Sequence, residues 1–81
     1  MEQYKIIQKI HRPLGILIAN CETKIDTTQI ISLVKKTQKK LPNKHNITNE
    51  NIENAIYEVL KKEDPKLAEL FLEFDYEKLI S

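Results

Sequence analysis

The sequence predicts an all-α fold, a compact bundle of four to five short helices. Three observations lead there. Apolar residues recur at helical spacing in several separate stretches. Capping residues and prolines punctuate those stretches, with Asp26, Thr48 and Asp64 ahead of them and Pro42 and Pro65 between them. A single glycine, no tryptophan and 31% charged residues suit amphipathic helices better than strands joined by turns.

The first helix is expected over residues 2–11, with Ile6, Ile7 and Ile10 on one side and Tyr4 at its flank. The pattern continues through Leu14, Leu17, Ile18 and Cys21. Pro13 interrupts it, because a proline inside a helix costs about 3 kcal/mol and the preceding residue avoids the α region. A break near His11–Arg12 is therefore expected, with a short helix restarting at Pro13. The run 14–19 also fits a buried strand, but the chain offers no second convincing strand to pair with it, which favours helix.

The chain looks organised around Asp26 to Leu41. Asp26 is placed to cap, and Gln29 can complete a capping box. Ile30, Leu33, Val34, Thr37 and Leu41 share one face, and Pro42 ends the helix. Lys35, Lys36, Lys39 and Lys40 fall on the opposite arc. They form two like-charged i,i+4 pairs, each costing roughly 0.2–0.5 kcal/mol. Their place in the last turns offsets part of that cost, since cations suit a helix C-terminus.

Asn43 to Thr48 reads as a polar loop. Thr48 caps the next helix, 49–63, whose buried stripe is Ile52, Ala55, Ile56, Val59 and Leu60. Asp64-Pro65 closes that helix and opens another, cap then N1 proline. Leu67, Leu70, Phe71 and Phe74 make its apolar stripe, with Leu72 pointing the other way. Asp75 caps a last turn carrying Tyr76, Leu79 and Ile80.

Eighty-one residues are read as a single helical domain, 1–81. A chain this short buries only about 60% of its unfolded surface, so reliance on a partner or on self-association is expected. Net charge is only +1, but it is unevenly spread. Residues 1–48 hold nine Lys and Arg against three Asp and Glu, and residues 49–81 hold four against nine. Twelve of the thirteen basic residues are lysine. Lysine is a point charge, whereas arginine makes bidentate contacts to phosphate or guanine. The balance favours electrostatic contact over base reading.

Cys21 is the lone cysteine, which fits a reducing, cytoplasmic setting. No stretch approaches the roughly 20 apolar residues of a membrane span, and the charged start does not resemble a secretory signal. No metal-ligand spacing links His11, Cys21 and His45, and no cofactor is implied. Neither a nucleophile motif nor a glycine-rich phosphate loop is present, so no enzymatic activity is expected. The residual chemical candidate is a thiol or metal protein built on Cys21.

Two surfaces remain as candidates. Lys35, Lys36, Lys39, Lys40 and Lys44 could neutralise nucleic-acid phosphates, against the alternative of a merely solvated face. Leu67, Phe71, Leu72, Phe74, Tyr76 and Leu79 could dock on a larger protein, against the alternative of core packing. The resulting expectation is a small non-enzymatic accessory or adaptor protein on a nucleic-acid-processing assembly of replication or transcription type. The rival is a stand-alone helix-turn-helix-like regulator. It is weakened by a seven-residue Gly-free segment from Pro42 to Thr48, where that motif has a turn of about 3–4 residues, and by Glu50, Glu53 and Glu58 on the would-be reading helix.

Overall fold

The computed structural model describes residues 3–20, 26–42 and 46–80. Five helices follow one another: α1 (Gln3–Ala19), α2 (Thr27–Lys40), α3 (Asn49–Glu63), α4 (Pro65–Glu73) and α5 (Tyr76–Ile80). The described residues contain no strand, so the run 14–19 is helical. No helix among them is long and apolar enough to cross a membrane.

The helix starts follow from side chains that accept the free N–H groups of the first turn. The Asp26 carboxylate accepts from the Gln29 amide at 2.9 Å, and Gln29 Oε1 accepts from the Asp26 amide at 3.0 Å. Thr48 and Asn51 repeat the reciprocal arrangement for α3, both bonds at 3.1 Å. Asp64 serves two helices. Its N–H donates to the Leu60 carbonyl at 2.7 Å, closing α3, while its carboxylate accepts from the Leu67 amide at 3.4 Å, opening α4. One residue thus turns the chain between helices, and Pro65 at N1 enforces the change.

The expected break at His11–Arg12 does not occur: α1 is continuous through Pro13. Two effects offset the proline. Ile6, Ile10, Leu14 and Leu17 form one unbroken stripe, each at most 9% exposed, and burying such side chains is worth about 1.5–3 kcal/mol apiece. Pro13 also lacks the N–H that would bond the Lys9 carbonyl. That carbonyl instead accepts from the Tyr76 hydroxyl of α5 at 2.9 Å, so the group the proline strands is satisfied from 67 residues away.

A second correction concerns the organising element. α1, not α2, packs against each of the other four helices. The core gathers the α1 stripe, Leu33 and Val34 of α2, Ile52, Ile56, Val59 and Leu60 of α3, Leu67, Ala68 and Phe71 of α4, and Tyr76 and Leu79 of α5. Phe71 and Tyr76 meet edge to face, with ring centroids 6.1 Å apart. Thr37, facing the core from α2, donates its hydroxyl to the Leu33 carbonyl at 2.8 Å. Among the described residues no buried side-chain polar atom lacks a partner.

Candidate nucleic-acid interface

The lysine face of α2 follows from the packing of its other side. Leu33, Val34 and Thr37 turn inward, which leaves Lys35, Lys36, Lys39 and Lys40 exposed. The four do not act alike. Lys36, Lys39 and Lys40 line a solvent-open groove together with Val59, Lys62 and Glu63 of α3. Lys35 stands outside that lining, on the outer side of α2 where Ile31 is also exposed. Lys44 and Cys21 lie outside the described residues.

The groove exists because the last turn of α2 lies beside the last turn of α3. Lys36 Nζ and Glu63 Oε1 form an ion pair at 2.5 Å across the two helices. Lys36, and then Lys62, hold the Glu63 carboxyl below the usual carboxylate range. Val59, 4% exposed, supplies an apolar floor. Four lysines and one glutamate therefore line the same groove, with Lys36 in contact with the carboxylate and Lys62 acting on it through charge. Two helix C-termini, which carry partial negative charge, stand behind them.

This placement also accounts for the long linker. In a helix-turn-helix, a short turn joins the end of the first helix to the start of the second. Here the chain leaves α2 beside the end of α3 and must return to the start of α3. Leu41 after α2 and Ile47 before α3 both pack against the core.

At the other end of α3 the sign of charge reverses. Glu53 lies near Glu77, Asp75 and Glu50, and its carboxyl is pushed up, first by burial and then by those three charges. Glu50 and Lys62 are twelve positions apart on one helix, so about 18 Å separates the acidic end from the basic one. The charge split seen between sequence halves becomes a gradient along α3. The Tyr76 phenol is likewise raised, by burial and then by Glu53 and Glu77, which keeps its hydroxyl a donor.

The six C-terminal docking candidates separate. Leu67, Phe71, Tyr76 and Leu79 are buried inside the chain, at 1%, 2%, 2% and 8% exposure, and Phe74 is half-buried. Only Leu72, 64% exposed, is presented to solvent, between Glu69 and Glu73 on the outer side of α4.

Two features escape sequence reading. Lys62 joins the lysine groove from another helix, and its only sequence signal is a Lys61–Lys62 pair in the last turn of 49–63. A second basic groove runs along α1, lined by Lys5, Ile7, Gln8, Lys9, His11 and Arg12 with Ile80 of α5. Part of its charge is already engaged, since Lys9 donates to Asn49 Oδ1 at 2.7 Å. Among the described residues no group of three His, Cys, Asp or Glu is placed to hold a metal ion.

No protein-family model, curated protein or solved structure matches this chain.

Proposed function

We propose that this chain is a small non-enzymatic accessory domain of a cytoplasmic nucleic-acid-processing assembly, holding nucleic acid by its phosphates. The observation that carries the reading is the convergence of Lys36, Lys39, Lys40 and Lys62, from two helices, on one groove. Point charges around a groove suit a phosphate backbone, which presents a negative charge about every 1.7 Å of duplex axis. The groove holds no arginine for bidentate base contacts and no aromatic for base stacking. Contact is therefore to the backbone and independent of sequence.

The acidic start of α3 argues against using that helix to read a major groove, because Glu50 and Glu53 would face phosphates there. Of the six C-terminal docking candidates, Leu72 with Glu69 and Glu73 beside it is the exposed remainder. An accessory role supplies such a partner.

Anisotropy of a short fluorescein-labelled duplex of random sequence tests the groove. Replacing Lys39, Lys40 and Lys62 together by Gln is expected to weaken binding at least tenfold at low salt, as loss of about three phosphate contacts requires. Lys61→Gln, outside the groove lining, is expected to change it less than twofold. Equal effects of the two variants would reduce the groove to ordinary solvated surface.

A further inference from the structure

We infer that Glu63 is a built-in competitor for phosphate in the lysine groove, holding Lys36 until a nucleic-acid phosphate displaces it. The inference rests on the reading of the groove as a phosphate-binding surface. Glu63 lines the same groove as the lysines, and its carboxylate contacts Lys36 directly. A carboxylate on a lysine occupies the place a phosphate oxygen would take, with the same charge sign and the same acceptor chemistry.

The pair is poised to exchange. Its side chains are 49% and 36% exposed, and ion pairs in solvent contribute little to stability. A polyanion can therefore replace Glu63 without opening the core. Val59 beneath the groove belongs to the buried cluster and stays in place when the side chains exchange. While Glu63 holds Lys36, the groove still offers Lys39, Lys40 and Lys62 to a phosphate. Glu63 thereby sets a threshold that favours closely spaced phosphates, as on a duplex, over isolated anions.

Glu63→Gln spares the duplex that exchange: no freed carboxylate takes up a counter-ion, so more counter-ions are released net when a phosphate meets Lys36. The dependence of log K on log salt should steepen by about 0.9, and binding at low salt should tighten severalfold. Lys36→Gln should cost little in the wild-type background and most of that gain in the Glu63→Gln background. Glu69→Gln removes a similar charge from the exposed side of α4, outside the groove lining. It should leave the slope unchanged. Circular-dichroism melts establish that each variant is folded.

The outcomes separate cleanly. If the wild type binds duplex and Glu63→Gln shows neither the steeper slope nor coupling to Lys36, the competitor role is wrong while the groove reading stands. If neither wild type nor Glu63→Gln binds duplex at low salt, the groove reading fails, and the competitor role with it.

Discussion

Glu53 shows at the scale of one residue what the charge layout costs. Burial raises its carboxyl above the ordinary 4.5, and Glu77, Asp75 and Glu50 raise it further. The folded chain therefore binds the Glu53 proton more tightly than the unfolded chain does. This favours the fold fully below pH 4.5, and the benefit is lost as pH rises through the folded-state value. Glu53→Gln is expected to raise the melting temperature at pH 7, by less than about 1 kcal/mol of stability because the half-buried side chain keeps part of its hydration. The difference from wild type should vanish below pH 4. A variant no more stable than wild type at pH 7 would show that the carboxylate is compensated. Glu63 has the opposite sign. Lys36 lowers its carboxyl, so its contribution is present above pH 4.5 and fades as acid protonates it.

At the scale of elements, α1 and α5 depend on one another through a single hydroxyl. Tyr76→Phe would leave the part-buried Lys9 carbonyl without its donor, a loss of about 1–2 kcal/mol. Pro13→Ala would restore the backbone N–H that normally serves that carbonyl. In the Pro13→Ala background, Tyr76→Phe should therefore cost less, with a coupling of about 1 kcal/mol or more. Urea unfolding of the four proteins measures it, and strict additivity would contradict the arrangement. This link also explains what the sequence could and could not reveal. Caps lie within three residues of what they cap, so Asp26, Thr48 and Asp64 mark their helices in the sequence itself. The continuity of α1 depends on Tyr76, 67 positions away, and no local pattern carries that. The same holds for Leu67, Phe71, Tyr76 and Leu79. Their helical spacing shows an apolar stripe, but only the packing shows that the chain's own core consumes it.

At the scale of the molecule, the near-zero net charge conceals an axis. Acidic groups gather at the start of α3 around Glu53, and lysines from α2 and α3 gather at its end. The basic half of this layout was legible as a lysine arc on 27–40. Its partner, the end of α3, was not, because the crossing that brings Lys62 and Glu63 to Lys36 depends on how α2 and α3 pack through the core. Amide NMR spectra recorded during addition of random-sequence duplex test the central claim most directly. Signals of Lys36, Lys39, Lys40, Val59, Lys62 and Glu63 are expected to move together and return as salt is added, while Glu53, Asp75 and Glu77 stay fixed. Spectra that do not change, or changes confined to α1 or α4, would contradict it.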